Sequence, residues 1–203
     1  MLVVIGGHSR NIGKTSVVAG IVRFLPEYRW TAIKITQYGH GVCSTEGEAC
    51  ECAVEYDHPY ALQEERNPAG GTDSGRYLAA GAARSYWLRT AAGQLGNALP
   101  AFRRIFGEAQ NTIVESNSIL QFVKPDLYLP VLDFAVEDFK RTSLLYLDRA
   151  DALVVIDRGP LRPKWRGVSD RLWSHKPKIV VAAPSYASFE LADFVRTRSG
   201  VLA

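Results

Sequence analysis

Long hydrophobic runs are missing from this chain of 203 residues: no apolar stretch approaches the ~20 residues that span a bilayer. A basic leader is missing too, since the apolar run Leu2–Ile5 stops at Gly6-Gly7, so a secretory signal is not expected. A large excess of one sign of charge is missing, since 24 Lys and Arg stand against 21 Asp and Glu for a formal net charge of +3. Against an apolar fraction of 47%, so small a net charge excludes disorder as the main state. The sequence pI of 8.8 is a mild basic bias that does not imply nucleic acid. Glycine, at 17 residues, falls far short of the roughly one in three of a collagen-like chain, and no heptad run persists, which excludes a coiled coil as well. Cysteine is scarce and odd in number at three, which points to reduced thiols in a cytoplasmic protein.

What is present is an alternation of apolar runs and helical spacings. Leu2–Gly6, Thr31–Thr36, Ser85–Arg89, Thr112–Glu115, Leu127–Leu132, Leu153–Asp157 and Ile179–Ala182 read as strands. Val17, Val18, Ile21, Val22 and Leu25 recur at helical spacing until Pro26. Thr72-Asp73-Ser74 caps a helix expected to run to about Ala83, and Gly93–Gly107 reads as a helix bent near Pro100. Further helical stretches are expected at Ser118–Val123, Thr142–Arg149 and Phe189–Arg196. The pattern predicts an α/β fold, a mostly parallel sheet with helices on both faces, as one domain over 1–203. Gln37 to Gly71 has little periodicity and reads as a long inserted loop.

The strongest motif joins the first strand to the first helix: Gly6-Gly7-His8-Ser9-Arg10-Asn11-Ile12-Gly13-Lys14-Thr15-Ser16. A Gly-Lys-Thr at that place turns backbone amides and a positive helix end towards phosphate oxygens. The candidate nucleotide-binding residues are therefore His8, Ser9, Arg10, Asn11, Ile12, Gly13, Lys14, Thr15 and Ser16. Lys14 supplies a movable charge for the phosphates and Thr15 a hydroxyl ligand for Mg²⁺. The usual first glycine of such loops falls on His8, with Gly6 and Gly7 just before it. Mg²⁺ also wants a carboxylate at a neighbouring strand end. Glu115 is the first choice, as metal and catalytic partner, with Asp133 and Asp157 in reserve. Lys34, at a strand end, either steadies phosphates or is solvated.

Ala32-Ile33-Lys34 followed by His40, then Asp73-Ser74-Gly75-Arg76-Tyr77-Leu78-Ala79-Ala80-Gly81-Ala82, and Val114-Glu115 extend the phosphate loop into a larger pattern. Over about the first 120 residues it resembles the molybdopterin-guanine dinucleotide biosynthesis protein B family. The resemblance implies a P-loop NTPase fold, a homodimer that binds GTP with Mg²⁺ and hydrolyses it slowly, and an accessory role in molybdenum-cofactor biosynthesis beside a partner protein. It implies substrate or nucleotide contacts for Lys34, Asp73 and Arg76. ATP stays open, since no Asn/Thr-Lys-x-Asp follows a late strand. An ATP-dependent small-molecule kinase or ligase resembling dethiobiotin synthetase is one alternative.

The chain departs from that family in its cysteines. Cys43, Cys50 and Cys52, flanked by His40 and His58, offer His-x2-Cys-x6-Cys-x-Cys-x5-His. Three thiolates and an imidazole would satisfy Zn²⁺ or an iron–sulfur cluster; free thiols in a loop are the plainer reading. A metal-delivering chaperone NTPase is the second alternative. Finally, Arg158, Arg162, Lys164, Arg166 and Arg171 accompany Trp165 and Trp173 in a proline-bearing loop. The loop either stacks a base on a tryptophan and neutralises a phosphorylated small molecule, or is a solvated basic surface with the tryptophans packed beneath.

Overall fold

The computed structural model describes residues 1–38 and 59–198. Its centre is β1 (Leu2–Gly7), every residue of which is buried. A strand covered on both faces carries no polar alternation, which is why Leu-Val-Val-Ile is continuous. β1 pairs in parallel with β5 (Thr112–Glu115) on one side and β6 (Leu127–Asp133) on the other. The remaining strands are β2 (Thr31–Tyr38), β3 (Tyr60–Glu65), β4 (Arg84–Ala91), β7 (Leu153–Ile156) and β8 (Lys178–Val181). The order across the sheet is β3-β4-β2-β5-β1-β6-β7-β8, with β3 antiparallel and every other pairing parallel.

The two faces of the sheet bury separate cores. Val3 and Ile5 of β1 point to the side covered by α1 (Lys14–Phe24) and α5 (Phe189–Arg198), where they meet Val17, Ile21, Leu191 and Val195. Leu2 and Val4 point to the opposite side, against Phe102 and Ile105 of α3 (Leu99–Glu108). Each fully buried Val, Leu or Ile contributes roughly 1.5–3 kcal/mol, so the central strands anchor the molecule. α2 (Asp73–Ala79) lies on the α1 face, with Tyr77 in that core. Among the described residues no helix is long and apolar enough to cross a membrane.

Four sequence expectations shift. Tyr60–Glu65 lies inside the stretch expected as loop, yet forms an edge strand with Leu62 opposite Leu88. Its Gln-Glu-Glu end shows no period of two because the strand is half-covered and held from outside by Arg84 on Glu64 at 3.0 Å. α2 stops at Ala79 rather than Ala83. Gly81 takes φ +105°, and Ala82 N–H donates to Tyr77 O (3.0 Å) while Gly81 N–H donates to Leu78 O (2.9 Å). That pair of bonds is a Schellman stop, which glycine permits at no steric cost. Pro100 does not bend a helix; it sits in the first turn of α3, where its missing N–H is not needed, and a separate 3₁₀ turn, Leu95–Ala98, precedes it. The stretch 142–149 divides into the short α4 (Arg141–Leu144) and a 3₁₀ turn at Leu147–Arg149.

Candidate functional site

Parallel strands all deliver their carboxyl ends to one edge of the sheet, which is where ligands of open α/β folds bind. Here that edge gathers Gly7, Lys34, Glu115 and Asp133. Residues 8–13 turn from β1 into α1. Gly13 makes the turn with φ +93° at the helix N-cap, and no side chain caps the helix. A left-handed conformation of this kind suits glycine, and the uncapped end leaves amides and the positive dipole end for an anion. Gly7 is required by space: a Cβ there would come within 2.6 Å of the Lys14 side chain. The strand-to-loop junction is clamped by Asn117, whose amide accepts from Gly7 N–H and donates to Gly7 O, both at 2.9 Å.

Beside this turn lies a buried polar cluster. Glu115 ends β5, directly across from Lys34 in the β2 register. Its carboxylate accepts from Thr15 Oγ1 at 2.8 Å, from the Lys34 ammonium at 2.5 Å, and from the Tyr77 hydroxyl. Lys34 also pairs with Asp73 at 2.8 Å. Burial opposes charge on both partners, yet Glu115 and Asp73 hold Lys34 above the usual lysine value, and Lys34 and Lys14 hold Glu115 below the usual glutamate value. Burial and the adjacent Glu115 push the Tyr77 phenol far up, so it stays a donor. The cluster is an ionised carboxylate gripped by three donors, one of which is the loop threonine.

Lys14 reaches back over the loop to the Ser9 carbonyl at 2.7 Å, and burial lowers its amine from the usual range. Arg76 donates to Ser16 Oγ at 2.9 Å, tying α2 to the start of α1. Arg10 is exposed, Asn11 takes φ +54°, and Ile12 is fully buried in the α1 core. The structure therefore brings Lys14, Thr15, Ser16, Lys34, Asp73, Arg76 and Glu115 together around one helix end.

His8 is placed differently. Its Nε2 accepts from Asp133 N–H at 3.0 Å, so Nδ1 carries the proton and donates to Asp138 O at 2.7 Å. The ring packs on Phe139 and Trp165, and burial lowers its pKa. Both nitrogens are thus committed to the protein, and its own N–H donates to Val131 O. Of the reserve carboxylates, Asp133 accepts from Ala135 N–H (2.9 Å) and pairs with Arg158 (3.2 Å), and Asp157 accepts from Gly159 N–H (3.2 Å) in a turn. Neither bonds a loop side chain. Trp165 and Trp173 are buried and pack edge-to-face on each other and on Phe134, beneath the basic loop rather than open to a base.

Two further side chains near the loop had no signal in the sequence. Tyr77 reaches Glu115 only because α2 packs on α1. Lys140 arrives from the segment after β6, its N–H donating to His8 O at 2.7 Å. Burial pushes its amine down to about 8, helped by Lys14, Arg10 and Lys34 against the pull of Asp138.

The Thr15 hydroxyl and Glu115 carboxylate form a pair of hard oxygen donors, the chemistry Mg²⁺ selects. Cys43, Cys50, Cys52, His40 and His58 lie outside the described residues. Among the described residues no three His, Cys, Asp or Glu side chains converge as a metal site.

No protein-family profile and no curated protein matches this chain. Among solved structures, HypB from Helicobacter pylori in complex with nickel is similar at 12% identity and a TM-score of 0.47, covering 99% of this chain and 89% of that one. At that level the likeness concerns chain path alone.

Proposed function

We propose that this chain is a P-loop nucleotide-binding protein that takes a Mg²⁺-bound nucleoside triphosphate and hydrolyses it slowly. The observation that carries the reading is the contact of Thr15 Oγ1 with the buried Glu115 carboxylate at an uncapped helix end preceded by Gly13 and opened by Lys14. In this reading the α1 amides and Lys14 bind phosphate oxygens, Lys14 exchanging the Ser9 carbonyl for phosphate. Thr15 and Glu115 would hold Mg²⁺, which supplies charge neutralisation between the phosphates. Lys34 keeps Glu115 ionised. A carboxylate so held is a good metal ligand and a poor base, which fits slow turnover. The family resemblance extends the proposal to GTP, a homodimer, and an accessory role in molybdenum-cofactor guanylation.

A second reading, a metal-delivering NTPase, is favoured by the clustering of all three thiols at Cys43, Cys50 and Cys52. Uptake of one Zn²⁺ or Ni²⁺ per chain, lost when the three cysteines become serine, would select it. The primary test is a thermal-shift titration with GTP, ATP and their diphosphates, with and without Mg²⁺. A ligand at a hundredfold excess over Kd stabilises by about 2.7 kcal/mol. Nucleotide affinity unaltered by Lys14→Ala would overturn the proposal.

A further inference from the structure

The segment 134–140, between β6 and α4, is strapped onto the phosphate loop. His8 Nδ1–H donates to Asp138 O (2.7 Å), Ser9 Oγ donates to an Asp138 carboxylate oxygen (2.6 Å), and Lys140 N–H donates to His8 O (2.7 Å). Three short bonds to two consecutive loop residues fix where the strap ends, and it ends on Lys140. The side chain there is half-buried. Among the described residues its ammonium makes no ion pair and no hydrogen bond.

The charges around it explain what it lacks. Lys34 is satisfied by Glu115 and Asp73, and Lys14 rests on a carbonyl oxygen. Asp138, the nearby acid, already accepts from Ser9. Lys140 therefore sits with Lys14, Arg10 and Lys34 as neighbours of its own sign, which burial makes costly. Such an arrangement is stable only weakly by itself and is completed by a polyanion.

We propose that Lys140 is a second phosphate-contacting cation of the site, engaging the terminal phosphate of a nucleoside triphosphate from the β6 side of β1, across from Glu115 on the β5 side. This rests on the nucleotide reading above and adds to it a residue that separates triphosphate from diphosphate. The strap makes the contact conditional: Ser9 and His8 hold Asp138, and Asp138 places Lys140 two residues on.

The test is calorimetric binding of Mg²⁺–GTP and Mg²⁺–GDP, with the adenine nucleotides in parallel, to the wild-type chain, Lys140→Met, Lys140→Arg and Lys14→Ala. Lys140→Met is expected to weaken the triphosphate about 10- to 100-fold, as the loss of one charge-assisted bond would. The diphosphate should change by less than about threefold on the same ground, and Lys140→Arg should recover most of the triphosphate affinity. Without nucleotide, Lys140→Met should melt no lower than wild type, because it removes a half-buried cation that no described residue pairs; a variant that only damaged the fold would melt lower. Equal losses for both nucleotides, or none, while Lys14→Ala abolishes binding, would overturn this inference and leave the nucleotide reading standing. Failure of the wild-type chain to bind any of the four nucleotides would overturn both.

Discussion

Two buried carboxylates end the two strands that flank β1, and they are used in opposite ways. Glu115 ends β5 at 3% exposure and Asp133 ends β6 at 0%. Glu115 is gripped by side chains that come from the loop, β2 and α2: Thr15, Lys34 and Tyr77. Asp133 turns to the local backbone at Ala135 and to Arg158 on the β7 side, while its own N–H anchors His8. An apolar strand ending in an acid is thus one signal with two outcomes. What decides between them is the helix opposite, because α1 presents Thr15 to the β5 side of the sheet, and the strap after β6 seals the other.

Glu115→Gln should have the largest effect. It breaks the buried Lys34–Glu115 pair and leaves Lys34 with Asp73 alone; breaking a buried pair costs about 3–5 kcal/mol, and the Asp73 contact puts the cost at the low end of that range. Denaturant unfolding measures this, and the same variant should lose the Mg²⁺ dependence of nucleotide binding. Asp133→Asn keeps the oxygen that accepts from Ala135 and should cost less, about 1–2 kcal/mol, with the Mg²⁺ dependence intact. Equal behaviour of the two variants would break the contrast.

Tyr77→Phe sharpens it further. The substitution removes one donor to a charged group and should cost roughly 1.5–3 kcal/mol in urea unfolding. Glu115 should then become easier to protonate, visible as an upward shift of its titration by carboxyl NMR. No shift would mean that the phenol does not stabilise the carboxylate.

A smaller effect comes from pH. The folded Lys140 amine lies at about 8 and the unfolded one at 10.5, so between these values the unfolded chain binds more protons. Stability from this group therefore rises as pH increases from about 8 towards 10.5. Lys14 is shifted the same way, whereas Lys34 and Tyr77, raised in the fold, act oppositely at the upper end. The difference in melting temperature between wild type and Lys140→Met across that range isolates the Lys140 part, and it should shrink as pH rises. The smallest effect belongs to Thr72→Ala, which removes the α2 cap to Gly75 N–H and should cost about 1 kcal/mol by denaturant unfolding.

The central strands were legible in the sequence because strands buried on both faces leave uninterrupted apolar runs, as in Leu2–Ile5 and Thr112–Val114. β3 was not, since an edge strand held by Arg84 and one leucine needs no such pattern. The loop residues Lys14 and Thr15 and the strand-end Glu115 were legible as residue types, and the fold sets Thr15 against Glu115. Asn117, Tyr77 and Lys140 were not, for each reaches the loop from a distant element through packing that no local spacing encodes. His8 was misleading for the same reason. A histidine in a phosphate loop invites a ligand role, but Trp165, Phe139 and Asp138, more than a hundred residues on, turn it inward.

The most direct measurement is the affinity of the wild-type chain and Glu115→Gln for GTP and ATP, each with Mg²⁺ and with a chelator. The account predicts that Mg²⁺ tightens triphosphate binding by about tenfold or more in the wild type, through the added oxygen ligands of Thr15 and Glu115, and leaves Glu115→Gln unchanged. Equal tightening in both proteins would contradict it.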